Sequence, residues 1–513
     1  MVRTDLISKL VVRSAMLLLT GCAFLFTAGA VSAQQSNPLP PDSRLATLPL
    51  TSNSMEAKRL VVEAMRVGLD LVEQEQSDVM FRQAIKLDPD FAMAYELLAQ
   101  NSLDPAEQVA ANAKALALKS HASPAERLVI EWWQDAMDHK LISAIMKMND
   151  VLSQYPHDKW VVFMVTNWLT TQTQYERAIA VYERSGITDS PGLMNNMGYC
   201  YAYMREFDKA FTLMDKYVVA LPQDANPQDS YAEILRMAGN FNKSLEHYRA
   251  ALAIDPQFYS SQFGIADTYS LMGDQARARQ EYETGFQKFP LPELHLVQWQ
   301  SREAETFIRE GDLKGADHAF QAIADDAHSK HMSQVEADIY RQMAMYQPDP
   351  KPALAFLGKA EAALKEGKNA MPASIHQEQA QILRVRVELA VKTGNRQTVN
   401  TLLTRLGEMS SSSTDRLIDT AYHGAAGAAL FSQHKYDEAI SHLEEDKNNP
   451  LSLKLLASAY QEIGYSAGAK RTSETLAHLN DPSLEQALVV LPFRKCYEDP
   501  SCSGTVKAVS LRK

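Results

Sequence analysis

Catalysis needs acids, bases, nucleophiles or metal ligands at spacings that bring them together, and few such spacings stand out in this chain of 513 residues. No zinc helix of the His-Glu-x-x-His kind and no phosphate-cradling glycine loop is present, and a hydrolase nucleophile elbow is not expected. The histidines are scattered. His318 and His331, or His434 and His442, lack a tight ligand spacing and read as surface or core side chains. Glu444-Glu445 beside Asp446 reads as a solvated helix end rather than as the carboxylate pair of a glycosidase. Cys496 and Cys502 lie near Pro500 and Gly504, where an oxidising compartment would let them pair; no further thiol or histidine in that segment favours a metal. Cys200 falls in a helical run and reads as a small buried hydrophobe. No catalytic residue, cofactor or metal ligand is therefore assigned.

The elements that would position any site are helices. Alanine, leucine, glutamate, glutamine, lysine and methionine are abundant, whereas glycine and proline number only 21 and 22. The formal charge is −12 and becomes −14 without residues 1–33, which hold three basic residues and one acidic residue. That sign and the lack of a basic stripe argue against nucleic acid as a partner. Arg3, Lys9 and Arg13 precede an apolar run from Ala15 to Ala30 and the small residues Val31-Ser32-Ala33, the order of a secretory signal cleaved after Ala33. A retained anchor is disfavoured because the run falls short of a full span, and no transmembrane span is expected once the signal is removed. Leu19-Thr20-Gly21-Cys22 resembles a lipobox, but the apolar character continues past Cys22, so lipidation there is disfavoured.

The chain repeats. Pro222, Pro256 and Pro290 are 34 residues apart, and the unit before Pro256 holds Tyr231-Ala232, Leu235, Gly239, Ser244, Tyr248 and Ala251. Ile265-Ala266, Tyr269, Gly273, Ala278, Tyr282 and Gly285 follow in the next unit, and Met197-Gly198, Tyr201, Ala210, Met214 and Tyr217 stand in the one before. Apolar residues at three- and four-residue spacing give each helix a stripe that only another helix can cover, and the small residues let the two axes approach. Ala144, Ala178, Ala316, Ala439 and Ala469 read as such crossings.

These residues resemble the tetratricopeptide repeat family over roughly 58–482, in about twelve units. Units begin near Lys58, Ala92, Ala125, Lys159, Val297, Ala380, Thr420 and Pro450. The resemblance implies an all-α solenoid of antiparallel helix pairs in a right-handed superhelix. The organisation read from it is a signal peptide at 1–33 and a flexible linker at 34–53, followed by an N-terminal array at 54–330. An irregular helical hairpin at 331–379, a C-terminal array at 380–485 and a tail at 486–513, expected to cap the last hairpin and carry the disulfide, complete it.

In the family, first helices line the groove with residues near their start and one and two turns on. Those positions hold Phe163 and Asn167, Asn195 and Tyr199, Asp229 and Glu233, and Phe263 and Asp267, with Trp160 the foremost aromatic candidate. Trp132 occupies a small-residue position and reads as packing. The family's carboxylate clamp for chaperone tails lacks its basic partners here, although Asn167 and Asn196 are present. Asp229, Glu233 and Asp267 suit a basic or amide-rich peptide. The expectation is a non-catalytic protein-binding scaffold, periplasmic or secreted, with a structural subunit of an envelope complex, bound by its edges and tail, as the alternative.

Overall fold

The computed structural model describes residues 47–70, 74–102, 105–138, 140–291, 293–366, 372–413 and 415–498. The leader with Cys22, the linker up to residue 46, and Cys502 with the disulfide that depends on it lie outside the described residues. Among the described residues every regular element is a helix. They divide into two compact units: unit 1 runs to Ile234 and includes Glu246–Ser261, and unit 2 holds Leu235–Leu245 and the residues from Gln262 on.

Unit 1 is built from the hairpins α1 (Met55–Asp70) with α2 (Gln74–Leu87), α3 (Ala92–Asn101) with α4 (Pro105–Leu118), and α5 (Pro124–Met137) with α6 (Leu141–Gln154). It continues with α7 (Lys159–Thr171) and α8 (Tyr175–Ser185), then α9 (Pro191–Tyr203) and α10 (Phe207–Ala220), and takes the outer parts of α11 (Ala225–Met237) and α12 (Phe241–Ile254). Unit 2 takes the turn between those two and most of α13 (Tyr259–Met272), followed by α14 (Gln275–Lys288). The remaining hairpins of unit 2 are α15 (Glu293–Glu310) with α16 (Leu313–Ser329), α17 (Ser333–Met345) with α18 (Pro350–Glu366), α19 (Pro372–Lys392) with α20 (Arg396–Ser411), α21 (Arg416–Ser432) with α22 (Tyr436–Glu445), and α23 (Pro450–Glu462) with α24 (Ser466–Ala477). A five-residue π-helix, Gln486–Val490, leads into α25 (Leu491–Glu498). The all-α hairpin array read from the sequence is present, with twelve hairpins from α1 to α24 among the described residues.

The crossings explain why these segments fold as they do. Second helices place a small buried residue where they meet the first: Ser77, Ala111, Ala144, Ala178 and Ala210 in unit 1, and Ala278, Ala316, Ala439 and Ala469 in unit 2. One turn later a large side chain fills the space beside the crossing, as Phe81, Met148 and Met214 do in unit 1 and Tyr282 and Phe320 in unit 2. The segment expected to leave the register, 331–379, forms a hairpin like the others, with a first helix of 13 residues and a second of 17. Its prolines explain the irregular appearance in sequence: Pro350 opens α18, where its missing N–H is harmless.

Two expectations about the ends are corrected. Residues 47–53, the described part of the segment read as mobile linker, are tied along the N-terminal ends of first helices in unit 1. Leu48 N donates to Asp158 Oδ2 (2.7 Å), Thr51 N to Glu126 Oε1 (2.8 Å) and Asn53 N to Asp88 Oδ2 (2.8 Å). Asp158 and Glu126 cap α7 and α5 with their other oxygens, so each carboxylate serves a helix end and the strap together. Burial pushes the Asp88 carboxyl up, but hydrogen bonds from Ser52, Asn53 and Asp90 outweigh it and hold the group below its ordinary value. The tail does more than cap α24. Val489 and Val490 do cover Leu453 and Leu476, yet Leu484 and Ala487 join the core of unit 2 beside Val297, Ala304 and Ile308 of α15.

Candidate functional site

Unit 1 places Trp160, Phe163 and Asn167 on α7, Asn195 and Tyr199 on α9, and Asp229 and Glu233 on α11. The four-residue steps from Phe163 to Asn167 and from Asn195 to Tyr199 place each pair on one side of its helix. Trp160, Phe163, Asn167, Asn195 and Tyr199 are all half-buried. The Tyr199 hydroxyl donates to Glu233 Oε2 at 2.9 Å, joining α9 to α11. Burial first, and then the charge of Glu233, push the Tyr199 phenol well above its ordinary value, so it stays a donor. Tyr203 continues the row: its ring lies 6.3 Å from that of Tyr199 and stacks at 5.1 Å on Tyr175. Asn195 Oδ1 is enclosed and accepts no hydrogen bond.

Asp229 is not a groove contact. It is wholly buried and accepts from Ser261 Oγ at 2.7 Å. Asn196, the second amide of the would-be clamp, is buried too, with its amide directed at Thr166 and Thr170. Trp132 is packing, as read: it is buried and meets Trp168 edge to face at 5.8 Å.

In unit 2 the expectation for Phe263 fails. Its ring is 0% exposed, stacked at 4.7 Å on Trp299 and seated over Gly285, where an added Cβ would come within 2.6 Å of the ring. Asp267 is equally buried and already neutralised, accepting from the Tyr282 hydroxyl and from Arg236 Nη1 at 3.3 Å. The first-helix face of unit 2 is lined by charges of both signs. Arg341 Nε donates to Glu378 at 2.7 Å, and Arg384 reaches Glu388 at 3.0 Å and Asp446 at 2.8 Å. Glu305 on α15 is raised to about 7, burial outweighing the attraction of Arg302 and Arg309. Asp446, read as a solvated helix end, is thus the buried partner of Arg384.

Two further features were missed. His423 and His442 meet across α21 and α22 with their Nδ1 atoms 3.1 Å apart, and Asp419 lies 3.5 Å from His423 Nε2. Their 19-residue separation straddles a hairpin turn, which linear spacing does not expose. Among the described residues no group of three His, Cys, Asp or Glu side chains could hold a metal ion. Gly464-Tyr465-Ser466-Ala467-Gly468 does match the letters of a Gly-x-Ser-x-Gly elbow. The segment joins helix α23 to helix α24, whereas the elbow requires a strand before the serine, so the letters carry no nucleophile here. Among the described residues no helix is long and apolar enough to cross a membrane.

No protein-family model and no curated protein matches the chain. Solved structures do resemble it. A tetratricopeptide repeat protein from Parabacteroides merdae is 14% identical, with a TM-score of 0.35, over 59% of this chain and 100% of that one. The APC/C hetero-tetramer Cut9–Hcn1 is 14% identical, with a TM-score of 0.39, over 80% of this chain and 78% of that one. The human IFIT1 dimer with PPP-AAAA is 12% identical, with a TM-score of 0.36, over 85% of this chain and 98% of that one. The likeness is one of fold. The repeat type rests on this chain's own 34-residue period and its buried crossings.

Proposed function

We infer that this chain, an array of tetratricopeptide-type repeats, is a non-catalytic protein-binding scaffold that holds a segment of its partner on the first-helix face of unit 1. The carrying observation is the row of half-buried aromatics, Trp160, Phe163, Tyr199 and Tyr203, beside an enclosed amide oxygen of Asn195 that accepts no hydrogen bond. Aromatic side chains offer large contact area at little entropic cost, which is why they dominate binding hot spots. Glu233, 8% exposed and bonded to Tyr199, gives this face a negative charge, which suits a basic or amide-rich segment. The basic residues and apolar run at the N-terminus support action after export, in the periplasm or outside the cell.

Affinity capture from the cell envelope with wild type and with the Trp160→Ala/Phe163→Ala double variant tests this reading. The variant is expected to keep its helical signal and lose at least about thirty-fold in affinity for the captured protein. Equal capture by both proteins would remove the face from consideration. Amino-terminal sequencing of the protein recovered from the envelope is expected to begin at Gln34; a start at Cys22 would overturn cleavage after Ala33 in favour of lipoprotein processing, and a start at Met1 would contradict a cleaved signal.

A further inference from the structure

In unit 2 a segment of the chain itself, past the last hairpin, packs on α15. After α24 the backbone turns at Leu479 and Asn480 and runs over the first-helix face to α15. Asn480 Nδ2 donates to Met237 O at 3.3 Å. The Arg309 guanidinium donates to Gln486 Oε1 and approaches Ser483 O at 3.5 Å. Leu484 and Ala487 are 3% and 5% exposed and belong to the apolar cluster that also holds Ile308 of α15 and Ile382 of α19. Between them, half-buried Glu485 lies in the field of Arg341, Glu305 and Glu388.

We propose that the first-helix face of unit 2 is a binding groove for a short segment presenting leucine, a carboxylate and a carboxamide in succession, and that residues 479–490 are its resident, displaceable occupant. This proposal stands apart from the reading of unit 1. Three features carry it. The contacts that hold the segment are of the kind that recognise a peptide: one arginine forks onto a side-chain amide and a backbone carbonyl, and one leucine is buried in the apolar cluster of unit 2. The segment does not continue the repeat, for it runs from Leu484 into a π-helix and its apolar residues join different clusters, Leu484 and Ala487 one and Val489 and Val490 the other. It is also tethered directly behind α24, and a short tether gives an effective concentration in the millimolar range, which favours the resident over any free segment.

The test uses the full-length protein and a fluorescent synthetic peptide of residues 478–498. Wild type is expected to bind the peptide weakly because its own tail is in place. Leu484→Asp, which lies in the tail and leaves the walls intact, is expected to bind it at least roughly ten-fold tighter. Adding Arg309→Ala to that variant is expected to abolish the gain. A folded Leu484→Asp protein that binds no better than wild type overturns the proposal, and so does failure of that variant to fold, because the tail is then inseparable from the core. Hydrogen exchange on the unmodified protein gives an independent reading. Amides 484–490 are expected to exchange at least about ten-fold faster than those at the centre of α15, by opening alone; exchange of both at one rate would show a single cooperative unit and overturn the proposal.

Discussion

Units 1 and 2 use the same hairpin and the same small-residue crossings, yet they treat the face formed by their first helices in opposite ways. In unit 1 that face carries a row of aromatics and Glu233 bonded to Tyr199, and at the helix starts Asp88, Glu126 and Asp158 hold residues 47–54. In unit 2 it is ionic, and the chain's own residues 479–490 lie on it. The repeat fixes what must be buried at each crossing and leaves the first-helix positions free, so each unit can specialise without disturbing its packing.

The buried charges make the contrast easiest to break. In unit 2 Arg384 and Asp446 are each 6% exposed and paired at 2.8 Å, so Arg384→Ala strands a carboxylate and is expected to cost about 3–5 kcal/mol in denaturant unfolding. A loss under about 1 kcal/mol would mean that water reaches the site. Unit 1 shows the opposite case. Glu96 is wholly buried with Gln100 and Asn112 as its hydrogen-bond partners among the described residues, and burial raises its carboxyl to about 8. The folded protein therefore keeps this proton to higher pH than the unfolded chain, which releases it near 4.5. Its contribution to stability is complete below that value and is lost as pH rises to about 8, at about 1.4 kcal/mol per pH unit within the window. Glu96→Gln is expected to flatten that slope; an unchanged pH profile would assign it to other groups. Glu305 and Glu378 in unit 2 reach only about 7, because arginines oppose the effect of burial.

Backbone geometry sharpens the comparison further. Unit 1 packs the end of α1 on the start of α9 at Gly192, where an added Cβ would lie 2.1 Å from Leu69 O. Gly192→Ala is expected to cost about 1–3 kcal/mol, read as a lowered melting temperature, and no change would mean that this contact does not hold in solution. The smallest expected effect concerns the hairpin turns. Thr173 occupies a left-handed conformation at φ 56°, whereas the corresponding turn in α15–α16 uses Gly311 at φ 83°. Thr173→Gly is expected to raise stability by roughly 0.5–1 kcal/mol, and a loss would show that the threonine side chain contributes more than its strain costs.

How much of this was readable in the sequence follows from the same contrast. The crossings were legible because a buried alanine recurring every 34 residues, as at Ala144 and Ala178, is a local signal with one packing solution. The site was only partly legible. Position along a first helix singled out Trp160, Phe163, Asn167, Asn195 and Tyr199 as candidates, and these are half-buried, but it could not tell that Trp299 would cover Phe263 or that Arg236 would reach Asp267, 31 residues on. The tail was least legible, since Arg309 and Gln486 meet across 177 residues and no period links them.

The most direct test places a photo-crosslinking amino acid at position 163 in one full-length protein and at position 302 in another, then irradiates both in the cell envelope. The account expects the probe on α7 to attach a second protein and the probe on α15 to attach residues 479–498 of the same chain. Attachment of one foreign protein by both probes, or of none by the probe at 163, would contradict it.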